Sequence, residues 1–198
     1  MGRKVVAIVG SYRRGGSVDS AVQAILEGAR EKGAETHTIY LTEKHIEFCT
    51  NCRSCTQEPG PARGSCVQQD DLNSILNEIE QADAIVLGSP VNFWNVTAIY
   101  RRFLERLVGY AYWPWGNPAP AQRNKVRTRK AALVASSAAP GFCIPLLTGA
   151  ARALSATANL FGAKTVGRLW IGLSAMKPDQ PLSRHTLARA RRIGLRLV

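Results

Sequence analysis

The sequence predicts a doubly wound α/β fold: one domain over residues 1–198, with a five-stranded parallel sheet in the order 2-1-3-4-5 and helices on both faces. Two observations carry this expectation. Short apolar runs of strand length recur along the chain, and each is followed by a longer segment whose apolar residues fall at helical spacing. Five strand runs alternate with five helical stripes, and right-handed crossovers leave few topologies open to that alternation. A chain of 198 residues with 45% hydrophobic content is large enough for one well-buried core.

Lys4-Val5-Val6-Ala7-Ile8-Val9-Gly10 is an apolar run closed by glycine, as expected of a strand buried on both faces. Val18, Ala21, Val22, Ile25, Leu26 and Ala29 then share one helical stripe, with Ser17 as the expected N-cap and Gly33 as the stop. A second strand is predicted over 36–41, a helix over 70–81 and a third strand over 84–88. An irregular cysteine-rich insertion lies between the second strand and that helix, at about 48–69. The next helix turns Val96, Tyr100, Phe103, Leu104 and Leu107 inward. A strand over 131–136, a helix over about 146–161, a strand over 165–171 and a basic helix from Leu182 complete the alternation. In such a sheet, ligands gather beyond the carboxyl ends of the strands at the switch point, so the informative loops follow strands one, three and four.

The chain carries 26 Lys and Arg against 14 Asp and Glu, a formal charge of +12, which favours anionic partners. Nucleic acid is not the expected partner, because no recognition module accompanies the charge. No apolar run approaches the ~20 residues that span a bilayer, and the chain passes at once into its first strand, so neither a membrane segment nor a leader is expected. Five cysteines in such a chain point to a reducing, cytoplasmic setting and to metal or redox chemistry.

Gly10-Ser11-Tyr12-Arg13-Arg14-Gly15-Gly16-Ser17 joins the first strand to the first helix. Backbone amides, hydroxyls, arginines and a positive helix end therefore meet at one place, which suits a phosphate. The spacing is neither the G-x-G-x-x-G of a dinucleotide fold nor a loop ending in G-K-[ST]. The loop resembles the G-S-P-R-x-G-G-[NST] loop of the flavodoxin-like, NAD(P)H-dependent FMN reductases. That resemblance implies that Ser11, Arg13, Gly16, Ser17 and Val18 surround an FMN phosphate. Val18 stands where threonine is frequent, and Tyr12 where proline is.

Gly88-Ser89-Pro90-Val91-Asn92-Phe93-Trp94-Asn95 resembles the family's S-P-V-Y-F loop, with Asn92 at the tyrosine position and Trp94 at a frequent glycine. The resemblance implies flavin-ring contacts from Ser89, Pro90, Val91, Asn92, Phe93 and Trp94. Ser136, Ser137 and Gly141, in the small-residue loop after the fourth strand, are expected at the same cofactor edge. Cys143 reads equally as a packed residue or a reactive thiol.

Cys49-x2-Cys52-x2-Cys55, followed by Cys66, places four thiols on one short segment, and the tight spacing favours iron–sulfur ligation over zinc. The segment resembles the compact cysteine motif of iron–sulfur flavoproteins, which carry a [4Fe-4S] cluster beside FMN. Here the last gap is longer and holds Pro59, Gly60, Pro61 and Gly64. An iron–sulfur cluster, zinc and bare thiols all stay open at this point. The histidines at 37, 45 and 185 show no ligand spacing.

Tyr110-Ala111-Tyr112-Trp113-Pro114-Trp115-Gly116-Asn117-Pro118 is an aromatic loop expected to cover the flavin, enter a subunit interface or pack within the chain. The resemblance implies an oxidoreductase that takes electrons from NAD(P)H through FMN to an acceptor such as flavin or quinone, in a homodimer or homotetramer. The rival is a non-enzymatic electron-transfer protein or redox sensor serving a redox protein partner.

Overall fold

The computed structural model describes residues 2–123, 125–177 and 179–198. Strand β1 (Lys4–Val9) is buried apart from Lys4, because it lies inside the sheet and both of its faces are covered. Helix α1 (Ser17–Arg30) returns the chain to β2 (Glu35–Tyr40), an edge strand with alternating exposure. After the insertion come α2 (Leu72–Glu80), β3 (Ala84–Pro90) and α3 (Ala98–Glu105), the last extended by a 3-10 turn over Arg106–Tyr110. A two-stranded antiparallel ribbon, β4 (Ala111–Tyr112) with β5 (Ala121–Gln122), precedes β6 (Arg129–Ser136). Helices α4 (Cys143–Leu147) and α5 (Ala150–Leu160), strand β7 (Ala163–Ile171) and helix α6 (Arg184–Leu197) complete the chain.

The sheet runs β2-β1-β3-β6-β7, all parallel, which is the flavodoxin-like order once the small ribbon is set aside. Alternation along the strands divides the core in two. Val6, Ile8, Ile85, Leu87 and Leu133 face α2, α3 and α5, with Tyr100 and Phe103 fully buried among them. Val5, Ala7, Val9, Val86 and Val134 face α1 and α6. No helix among the described residues is long and apolar enough to cross a membrane.

Three local expectations are corrected. Gly16, not Ser17, is the N-cap of α1, and Ser17 is its first helical residue. The helix expected over 146–161 is two helices, broken at Thr148. The Thr148 hydroxyl donates to the Ile144 carbonyl at 2.7 Å and accepts from the Ala150 amide at 3.3 Å, so one side chain ends α4 and assists the start of α5. The last helix, expected from Leu182, begins two residues later at Arg184, after the N-cap Ser183, whose hydroxyl accepts from the Thr186 amide.

Candidate functional site

The carboxyl ends of β1, β3 and β6 lie side by side, so the loops that follow them converge. They form a cavity of ≈ 290 Å³. Ser11, Arg13, Gly16, Ser17 and Val18 line it from the first loop, Pro90, Val91 and Asn92 from the third strand, and Ser136 and Ser137 from the fourth. Ser174 and Ala175, beyond β7, close it. A second cavity of ≈ 300 Å³ shares Arg13, Gly16, Ser17 and Ser174. Ser89, Phe93, Trp94 and Gly141 are not among the lining residues.

Buried hydroxyls stitch the loops together. Thr97 donates to the Gly10 carbonyl at 2.6 Å, and its amide donates to the Ser89 hydroxyl at 3.1 Å. Ser89 thereby serves the frame of the site from full burial. The Tyr12 hydroxyl accepts from the Ile99 amide at 3.2 Å, so this residue, where the family loop has proline, ties the first loop to the start of α3. Val91 donates its amide to the Ser136 carbonyl, and Ser174 donates both amide and hydroxyl to the Ser137 carbonyl.

Within the first loop, the Ser11 hydroxyl accepts from the Arg13 amide and donates to the Arg13 carbonyl. Gly15 adopts φ +69°, a left-handed conformation that favours glycine. Its amide donates to Asp19 at 2.7 Å, and its carbonyl accepts from the Ser20 hydroxyl at 3.0 Å. Asp19 also accepts from the Tyr40 hydroxyl at 2.9 Å. Burial, reinforced by the bond to Asp19, pushes the Tyr40 hydroxyl above its ordinary pKa, so it stays a donor. Of the two loop arginines, Arg14 turns away to stack on Tyr40 and pair with Glu43. Arg13 lines both cavities and pairs with Asp179 at 2.9 Å.

Phe93 and Trp94 form a tight turn closed by Asn92 and Asn95, whose amides and carbonyls bond each other. Both have left-handed φ, +46° and +68°, and both are exposed, Phe93 almost completely. Phe142, Leu146 and Leu147, on the loop after β6 and in α4, are also exposed. Gly141 instead lies against the backbone of β7, where an added Cβ would meet the Trp170 carbonyl at 2.6 Å.

The insertion gathers Cys49, Cys52, Cys55 and Cys66, all as free thiols. Burial, then the neighbouring Cys66, Cys49 and Cys52, push the Cys55 thiol up. Hydrogen bonds from Ser54 and Thr50 pull the Cys52 thiol down. Cys66 Sγ accepts from Arg106, whose guanidinium is buried with Asp70 at 2.5 Å and also donates to the Glu47 carbonyl. Gly64 lies so close to Cys55 that an added Cβ would stand 1.7 Å from its carbonyl oxygen. Among the described residues no group of three or more His, Cys, Asp or Glu side chains stands in a metal-holding arrangement.

The aromatic loop packs on this insertion rather than over the cavity. Arg53 lies over the rings of Trp113 and Trp115, with its guanidinium carbon 3.9 and 4.2 Å from the centroids, and donates to the Trp113 carbonyl at 2.6 Å. Thr56 and Gln57 bond the same carbonyl, and Arg123 reaches the carbonyls of Cys55 and Glu58.

Tyr12, Asp19, Thr97 and Ser174 were not expected from sequence. Tyr12 had a readable signal as part of the first loop, and Ser174 as a residue that follows the carboxyl end of the fifth strand.

Comparison with known proteins agrees with this architecture. An iron–sulfur flavoprotein of Archaeoglobus fulgidus is 35% identical over 111 residues, 56% of this chain and 48% of that protein. One from Methanocaldococcus jannaschii is 37% identical over 103 residues, 52% of this chain and 51% of its own length. The chain thus spans about half the length of these curated relatives. Among solved structures, an NAD(P)H:quinone oxidoreductase from Methanothermobacter marburgensis superposes over all of both chains with a TM-score of 0.70 at 21% identity. An FMN-dependent NADH-azoreductase from Bacillus anthracis, solved with FMN, covers 98% of this chain and 99% of its own with a TM-score of 0.71 at 12% identity. The family model for NADPH-dependent FMN reductase matches residues 3–170, a span that contains the phosphate-type loop, the insertion and all five sheet strands nearly to the end of β7, and by that match the chain belongs to the NADPH-dependent FMN reductase family.

Proposed function

We propose that the chain is an FMN-dependent NAD(P)H oxidoreductase, with Cys49, Cys52, Cys55 and Cys66 holding a [4Fe-4S] cluster as a second electron centre. The convergence of three loops on one cavity at the switch point carries the flavin reading. The residues fit the cofactor: hydroxyls, glycine backbone and the Arg13 guanidinium at the start of α1 suit a phosphate, while the edges of Pro90, Val91, Ser136 and Ser137 suit a flat ring. Bound FMN would supply hydride acceptance from the nicotinamide and onward electron donation. The chain's part would be to bind and orient: Arg13 would neutralise the phosphate, Thr97 and Ser89 fix the loop spacing, and the converging loops would shield the ring from water. No side-chain acid or base is needed.

For the cluster, the four free thiols are of the type that ligates iron–sulfur, and Cys49, Cys52 and Cys66 lie near enough to Cys55 to raise its thiol. They do not stand in a ligating arrangement in this structure, so a cluster would have to draw them together. The iron–sulfur flavoproteins among the relatives support the reading. The exposed apolar residues at 93, 94, 142, 146 and 147 support homo-oligomer formation with the cavities near the interface. The acceptor class is a flavin, a quinone or a redox protein.

The test is an absorption spectrum with iron and sulfide assay on anaerobically prepared protein, followed by NADPH and then NADH. Flavin bands bleached by either nucleotide support the reductase, and about four irons per chain support the cluster. Flavin that no pyridine nucleotide reduces would replace the reductase by an electron carrier, and failure to bind FMN after reconstitution would overturn the flavin reading.

A further inference from the structure

Resting on the FMN reading, we infer that Asp19, with Ser20, is the positioning residue that aims the first loop at a phosphate and so makes the site prefer FMN over a flavin without one. A buried carboxylate this near an anion site is unexpected on charge alone, and its bonds explain its presence. Asp19 is only 6% exposed and accepts from the Gly15 amide at 2.7 Å and the Tyr40 hydroxyl at 2.9 Å. Ser20 grips the same glycine from its other end, donating to the Gly15 carbonyl at 3.0 Å.

The consequence follows from the planar trans peptide. In the Gly15–Gly16 unit the carbonyl and the following amide point to opposite sides. A carbonyl held toward Ser20 therefore turns the Gly16 amide away from Ser20, and Gly16 is one of the residues that line the cavity. Gly15 itself sits at φ +69°, with nothing within 4 Å of where a Cβ would be, so contact does not hold it there. The two side chains from the first turn of α1 do. Without them the peptide is free to flip and present an oxygen to the phosphate. Tyr40 fixes Asp19 from β2, and Arg14 and Gln23 surround that hydroxyl. The device thus joins the loop to the neighbouring strand.

The experiment measures FMN and riboflavin affinity side by side, by quenching of flavin fluorescence, on the full chain. The wild type should bind FMN more tightly than riboflavin. Asp19→Ala should weaken FMN about tenfold or more and leave riboflavin within about twofold. Ser20→Ala should shift the ratio in the same direction by a smaller factor. Asp19→Asn keeps an acceptor for Gly15 and can donate to Tyr40, so it should restore the ratio to within about threefold of the wild type. Equal losses for both flavins in Asp19→Ala would mean a merely structural residue and overturn the inference, as would an unchanged ratio. A wild type that binds neither flavin would instead overturn the FMN reading itself.

Discussion

Arg106 holds Cys66 and Asp70 at once: one guanidinium nitrogen is 3.4 Å from the Cys66 sulfur, and the other is 2.5 Å from the Asp70 carboxylate. Both members of the ion pair are essentially inaccessible, at 1% and 0% side-chain exposure. Because the same guanidinium reaches the Glu47 carbonyl, one side chain from the 3-10 turn after α3 clamps both ends of the cysteine insertion.

Arg106→Met should therefore destabilise the chain by about 3–5 kcal/mol, since it leaves Asp70 buried without its partner. Arg106→Met combined with Asp70→Leu should recover most of that loss. Urea denaturation of the two variants against wild type checks both values, and equal losses in the single and double variants would contradict the buried-charge account.

Acid should expose the same pair. Burial pushes the Asp70 carboxyl up, but the bonds from Arg106 and from the Glu47 and Leu72 amides outweigh it and hold the group below its ordinary value. A depressed folded-state pKa adds stability that is present above the unfolded value, about 4, and is lost as pH falls toward the folded value. Between pH 5 and 3 the wild-type urea midpoint should fall more steeply than that of the double variant.

At the cavity, Asp179 holds Arg13 in an exposed pair, with 62% and 95% side-chain exposure. A phosphate must share or displace that carboxylate. Asp179→Asn should strengthen FMN binding about two- to fivefold at low salt, and the gain should shrink as salt screens the pair. Titrations at two ionic strengths decide it.

The exposed turn at 93–94 and α4, rather than the aromatic loop packed on the insertion, offer the apolar surface suited to assembly. Trp94→Asp with Leu146→Asp should reduce the native mass to that of one 21.5-kDa chain, read by light scattering, while the circular dichroism spectrum is retained. Surface variants at Trp115 should leave the mass unchanged.

Sequence and structure part company for identifiable reasons. β1 was legible because every residue from Val5 to Val9 is apolar, and the first loop because its glycines, hydroxyls and arginines are contiguous. The break after α4 was not, since it is made by the side-chain bonds of Thr148 and by the Gly149 amide, which donates to the Trp94 carbonyl on a distant loop. The β4–β5 ribbon has two residues per strand and depends on a loop docked across the insertion. Asp19 reads as an exposed first-turn acid until Tyr40, 21 residues later, covers it from another strand.

Phe93 and Trp94 stand consecutively in a backbone region where a side chain costs about 1–2 kcal/mol per residue, at turn positions that elsewhere fall to Asn-Gly. The isolated chain thus holds a sprung turn with two aromatic rings at its tip. Glycine at either position would make the free protein tougher and the turn slack, so thermal hardening at this turn would come with the loss of an exposed ring. Here stability and the outward display of two rings pull on the same two torsion angles in opposite directions.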